Sequence, residues 1–153
     1  MERKTKVHAE DGKQVLTITR EFDLPVELLF KAHTEAELLA QWMGTKVLKL
    51  EAKKHGSWQI ETSDPKGNVA FKASGVFHEF IPNQKFIRTF EMENIFEVQL
   101  EFFDFERLTD DTSKLTMQIV YRSLALRDQM LQMPFAQGLN MAHNRLQEVA
   151  NNL

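Results

Sequence analysis

Apolar and polar residues alternate with the two-residue period of a half-buried strand across Leu16–Phe22. Leu16, Ile18 and Phe22 take one face; Thr17, Thr19 and Glu21 take the other. The period then lengthens. Pro25 suits the first turn of a helix, where a missing N–H costs nothing, and Val26, Leu29 and Phe30 form its apolar stripe. Thr34-Glu35-Ala36-Glu37 has the T-x-x-E spacing of a capping box, which predicts a second helix running to about Trp42. Gly44 supplies the left-handed residue that stops it. Helices this short are unstable alone and need a larger surface to lean on.

That surface follows as a series of strands. Lys46–Lys54 is strand-like and closes at His55-Gly56, and Trp58–Thr62 alternates cleanly. Asp64-Pro65-Lys66-Gly67 is a turn, with Pro presetting φ and Gly accepting a positive φ. Val69–Phe80 is a long strand in which Gly75 marks a bulge or a close approach of backbones, and Pro82-Asn83 ends it. Lys85–Met92 and Phe96–Arg107 are joined through Glu93-Asn94, and Lys114–Tyr121 follows the polar loop Thr109–Ser113. Within Phe96–Arg107 the apolar phase changes, from Val98, Leu100 and Phe102 to Phe103 and Phe105. A one-residue slip reverses every side chain, so a β-bulge near Phe102-Phe103 is the economical reading. The alternative is apolar surface on both faces, the outer part forming a contact between copies of the chain.

The C-terminal segment has the clearest helical period. Phe135, Leu139, Ala142, Leu146, Val149 and Leu153 recur at steps of four and three, with Gln137, Asn140, Asn144, Gln147 and Asn151 facing away. Pro134 opens this helix, leaving Ser123–Met133 as a separate short helix or an irregular lead-in.

Strand, two small helices, six strands and a long amphipathic helix is the order of the helix-grip fold. ITREFDLP followed by LLFKAHTEAELLAQWMG resembles the opening of domains similar to the activator of heat shock protein 90 ATPase, in the START/SRPBCC superfamily. HGSWQIETSDPKG, GVFHEFIPNQKFIRTF and GLNMAHNRLQEVA carry the resemblance onward, over about residues 6–152. It implies an α+β fold: a curved antiparallel sheet of about seven strands gripping the C-terminal helix. One domain over residues 1–153 is expected, with residues 1–5 as a tail. Met43 stands where the pattern favours a second tryptophan, and His55-Gly56 where it favours two glycines. The superfamily hosts many activities on one fold, so the resemblance is specific for architecture and weak for function.

Composition narrows the setting. The chain has 153 residues, 42% hydrophobic and 27% charged, the profile of an ordinary globular protein. A net charge of −3 spread along the chain argues against nucleic acid as a partner. No apolar run approaches the ~18 residues of a membrane span, so no membrane insertion is expected. The charged N-terminus lacks the apolar core of a signal peptide, and there are no cysteines; a cytoplasmic protein is expected. His8, His33, His55, His78 and His143 show no metal-ligand spacing, and no phosphate loop or nucleophile elbow is present. No cofactor, metal or catalytic residue is expected. Glu91, Glu93, Glu97, Glu101 and Glu106 read as a solvated acidic sheet face.

The resemblance implies a cavity between sheet and helix. Twelve phenylalanines and seven methionines supply large, adaptable side chains for its wall, Met130, Met133 and Met141 lying in or before the long helix. The plain alternative is that they fill the space. Leaving ~300 Å³ empty costs on the order of 7 kcal/mol, a large part of a total stability of ~5–15 kcal/mol. Parity nominates Trp58, Phe71, Phe77, Phe86, Arg88, Phe90, Leu100, Phe102, Met117, Ile119 and Tyr121 on the sheet, and Phe135, Leu139 and Ala142 on the helix. A buried Arg88 needs an anion, supplied by a carboxylated or phenolic ligand or by an internal carboxylate such as Glu79, unless it reaches the rim. Tyr121 offers a hydroxyl to a ligand or to solvent at the rim. The leading expectation is non-catalytic binding of a small hydrophobic molecule, lipid-like or aromatic. A co-chaperone-like interaction module in stress response is the first alternative, favoured by any exposed patch around Phe103 and Phe105. A cyclase- or hydrolase-type enzyme is the second.

Overall fold

A computed structural model describes residues 3–93 and 96–153, the Phe96 side chain excepted; Asn94 of the expected β-connection lies outside the described residues. The elements are β1 (Lys6–His8), β2 (Val15–Phe22), α1 (Val26–Thr34), α2 (Ala36–Met43), β3 (Lys46–Leu50), β4 (Ser57–Ser63), β5 (Val69–Ile81), β6 (Lys85–Met92), β7 (Phe96–Arg107), β8 (Ser113–Val120), α3 (Leu124–Gln132) and α4 (Phe135–Asn151). The strands form one antiparallel sheet of eight, in the order β1-β2-β8-β7-β6-β5-β4-β3. This is an α+β architecture consistent with a helix grip. The eighth strand is the short β1, paired to β2 through Val7 and Ile18.

β2 buries Leu16, Ile18 and Phe22 as its alternation requires, and it also buries Arg20. The guanidinium is accommodated because it lies over the Phe22 ring and bonds the Asn140 side-chain oxygen at 3.1 Å. Asn140 therefore faces the sheet, contrary to the outward orientation expected of it. Arg3 and Thr5, within the segment read as a tail, reach Glu21 and the Asn140 side chain respectively.

The capping box before α2 does not form. Thr34 is still helical as the last residue of α1, and its hydroxyl donates to the Phe30 carbonyl at 3.0 Å. Extended Glu35 opens α2 without a side-chain cap. Gly44 ends α2 at φ 63°, as expected. In the Asp64–Gly67 turn the Gly67 N–H closes on the Asp64 carbonyl at 3.0 Å.

β7 corrects three expectations. Ile87 pairs with Phe102 and Phe86 with Phe103 without a register break, so no bulge separates the two phenylalanines. The inner face is Gln99, Glu101, Phe103 and Phe105, all buried; Val98 (50% exposed), Leu100 (36%) and the half-buried Phe102 lie on the outer face. Leu100 and Phe102 are thus not wall residues, and Glu101 is not part of a solvated face. The inner parity wins because Phe103 and Phe105 enter the aromatic core, while Arg88 on β6 meets the carboxylate of Glu101.

The C-terminal stripe is real but unevenly buried. His143, Leu146 and Ala150 are buried in the second half of α4, whereas Phe135, Leu139 and Ala142 in its first half are only partly so. Leu153 lies beyond the helix and is 69% exposed, ending the stripe one step early. α3 is a separate helix capped by the Ser123 hydroxyl, which accepts from the Leu126 N–H.

Candidate functional site on the concave face

Register sorts the inner face of the sheet into rows. One row joins Ile18, Met117, Phe103, Phe86 and Phe80 through successive strand pairs. It is packed solid: Phe86 stacks on Phe103 at 4.5 Å, and Phe30 from α1 meets Phe80 edge-on at 5.5 Å. Phe86 and Met117, expected as cavity wall, are therefore core residues under α1. Phe77, fully buried and 5.3 Å from Phe86, belongs with them.

The next row, Leu16, Ile119, Glu101, Arg88 and Phe77, carries the charge. Arg88 Nε donates to Glu101 Oε1 at 2.7 Å, and Gln99 Nε2 donates to Glu101 Oε2 at 2.8 Å. The guanidinium lies over Trp58 at 4.6 Å and Phe103 at 4.7 Å, so its faces are covered by rings while its edge meets a carboxylate. Of the partners considered for Arg88, an internal carboxylate is correct, but it is Glu101; Glu79 instead bonds Lys85 at 3.2 Å.

Beyond this row Gln99 pairs with Phe90 and Trp58 with Gly75, and Tyr121 directly follows the end of β8. Trp58 and Phe90 rings lie 5.5 Å apart. A Cβ on Gly75 would stand 1.8 Å from the Thr89 carbonyl and 2.7 Å from Trp58 Nε1, so only glycine lets the indole lie down here. Trp58 Nε1 and Tyr121 OH are buried and have no hydrogen-bond partner among the described residues. Burial first, and the Glu101 carboxylate second, push the Tyr121 phenol above its ordinary pKa. Tyr121 is thus an interior residue, not a rim tyrosine.

Two bonds fix the direction of α4. Asn140 bonds Arg20 and Gln147 bonds the Asp23 N–H. Three residues of strand and seven of helix both advance about 10 Å, so α4 runs alongside β2 in the same direction. Its first turns, with α3 before them, therefore lie toward the Tyr121 end of the sheet. Leu126, Met130, Phe135, Leu139 and Ala142, together with Phe71 and Phe90 of the sheet, are all only partly buried. Four exterior clefts are lined by described residues, among them a basic one bounded by Arg3, Lys4, Lys6, Arg20 and Lys114; none of the four is lined by Trp58, Arg88, Phe90 or Tyr121. The expected hollow is therefore not among these clefts. The apolar residues of α3 and of the first half of α4 are only partly buried, while Trp58, Gln99 and Tyr121 on the sheet are buried.

Glu101, Gln99 and Leu126 were missed as site residues. Glu101 shares parity with Phe103 and Phe105, the one signal that could have found it. Among the described residues no group of three or more His, Cys, Asp or Glu side chains is arranged to hold a metal ion. No helix among them is long and apolar enough to cross a membrane.

An open antiparallel sheet gripping a C-terminal helix over a floor of mixed aromatic and polar groups defines a domain of the helix-grip class. The model of one family in the SRPBCC superfamily, described as Activator of Hsp90 ATPase homolog 1-like protein, matches residues 23–151, and the chain belongs to that family. No curated protein matches the chain. Among solved structures, a Rhodobacter sphaeroides protein is similar with a TM-score of 0.89 and 19% identity, covering 98% of this chain and 99% of that one. A Mycobacterium smegmatis protein gives 0.84 and 18%, covering 95% and 96%. An Arthrobacter aurescens protein gives 0.86 and 14%, covering 97% and 92%. At these identities the likeness concerns the fold.

Proposed function

We propose that the chain binds a small, largely apolar molecule, without catalysis, between the Tyr121 end of the sheet and the α3–α4 cover. One observation carries this reading: Phe135, Leu139 and Ala142, the stripe residues in the first half of α4, are all only partly buried, whereas Leu146 in its second half is fully buried. Apolar area left exposed forgoes about 25 cal/mol per Å², so a stripe held half-open gains most when a ligand completes its burial. Met130, on the α3 part of the cover, suits an occupant of variable shape because a thioether adapts its rotamer. Membership of the family is compatible with a ligand-binding or a co-chaperone-like role.

The neutral fluorophore N-phenyl-1-naphthylamine tests the reading. Its emission is expected to rise on titration into the chain. Leu139→Trp and Ala142→Trp, which fill the half-covered face, are expected to remove that rise. Met141→Trp, at a position 53% exposed, is expected to leave it. An unchanged response in both filled variants contradicts the site.

The interaction reading loses its expected patch, because Phe103 and Phe105 are buried. It retains a different one on the convex face, where Val76, Val98 and Leu100 are exposed. Self-association through that stripe would appear as a concentration-dependent mass in sedimentation, abolished by Leu100→Lys.

A further inference from the structure

We infer that the molecule received at this site is uncharged and carries a hydrogen-bond acceptor of the carbonyl type on a flat apolar ring system. This rests on the reading of the half-covered face as a ligand site and adds the chemistry of its occupant.

Two facts about the floor lead there. The first is that its charges are already matched. Arg88 is bonded to Glu101 at 2.7 Å, and the second oxygen of Glu101 is taken by Gln99. A carboxylate entering beside this pair would have to compete with Glu101 for the guanidinium while lying next to another buried anion. Either course leaves one carboxylate in low dielectric without its counter-ion, a costly outcome. The anion that a buried Arg88 demands is supplied from within the chain, so a ligand need not bring one. A cation faces the reverse difficulty, since Arg88 would stand against it.

The second is that the donors are not matched. Trp58 Nε1 and Tyr121 OH are buried and unpartnered among the described residues. An indole N–H is a donor only, so its partner must be an acceptor. Burying such a group unpaired costs more than pairing it returns, and Gly75, its partner on the neighbouring β5, has no side chain to meet it. A neutral oxygen from a bound molecule satisfies an N–H or a phenolic O–H without disturbing the ion pair. The ring requirement comes from Trp58 and the partly buried Phe90, whose ring centroids lie 5.5 Å apart at a tilt of 38° and favour offset contact with a further flat ring.

The test uses three naphthalenes of nearly one shape: 2-acetylnaphthalene, 2-isopropylnaphthalene and 2-naphthoate at pH 8, each measured by displacement of N-phenyl-1-naphthylamine. The ketone is expected to bind about fivefold tighter than the hydrocarbon, the advantage of one net hydrogen bond, and the carboxylate weakest of the three. In Trp58→Phe and in Tyr121→Phe the ratio of ketone to hydrocarbon affinity is expected to fall toward one, whatever happens to hydrocarbon binding itself. Equal binding of ketone and hydrocarbon overturns the acceptor inference while leaving the site in place. Tightest binding of the carboxylate overturns the charge argument. Failure of all three to displace the fluorophore, or a fluorophore that never binds, removes the site itself and the inference with it.

Discussion

Two histidines lie in the apolar interior and have no carboxylate among their described partners. His33 donates Nδ1–H to the Leu29 carbonyl at 2.9 Å and is enclosed by Trp42, Phe103 and Phe105. Burial holds its pKa down to about 4, with the nearby Arg88 charge adding to the effect. His143 Nδ1 lies 2.7 Å from the Thr5 hydroxyl, against Phe22 and Trp42, and burial, then the His33 and Arg20 charges, take it to about 3. Both are bases depressed in the folded state, so below pH 6.5 the unfolded chain binds more protons than the folded one. Stability is therefore intact above that value and falls as pH drops toward 4. Each group contributes a loss of roughly 3 kcal/mol by pH 4. Thermal midpoints measured from pH 8 to pH 4 are expected to fall steeply below 6.5, and His33→Phe to flatten the slope. An identical slope in the variant contradicts the assignment. Nothing in the sequence pattern marks these residues, because His33 and His143 occupy apolar faces that a period count reads only through their neighbours.

At the scale of elements, the close approach at Gly75 sets the geometry of the site. Gly75→Ala would drive its methyl into the Thr89 carbonyl, a backbone atom that cannot turn aside. We expect a loss of about 2–3 kcal/mol in chemical denaturation, together with a displaced Trp58 whose emission shifts; a variant as stable as the parent contradicts the packing described. The bulge-or-approach reading of Gly75 was available from its place inside a strand, as were the left-handed stop at Gly44 and the separation of α3 from α4 at Pro134. The inner parity of β7 was not. Alternation says that residues two apart share a face, but not which face is inside when both carry apolar side chains. Only the partner strand decides, and β6 places Arg88 opposite Glu101. The same limit explains Leu100 and Phe102, assigned inward by their shared parity and found outside. The capping box failed for another reason: Thr34 belonged to the helix before it, whose own carbonyl claimed the hydroxyl first.

For the whole molecule, the concave face divides into two regions with different tasks. Under α1 and the second half of α4, aromatic rings and the buried Leu146 fill the space and give the fold its stability. Toward Tyr121, the cover is apolar but partly open, and the floor holds a matched ion pair beside unmatched donors. The chain's two tryptophans report on one region each. Trp42 Nε1 donates to the Ala32 carbonyl at 2.8 Å, whereas Trp58 Nε1 is buried without a partner among the described residues. A proton–nitrogen correlation spectrum resolves their indole signals, and titration with 2-acetylnaphthalene asks which of them meets the probe. The Trp58 signal is expected to move progressively to saturation while that of Trp42 stays in place. A Trp58 signal that does not move at millimolar probe, or a Trp42 signal that moves in its stead, contradicts the division of the groove on which the proposed function stands.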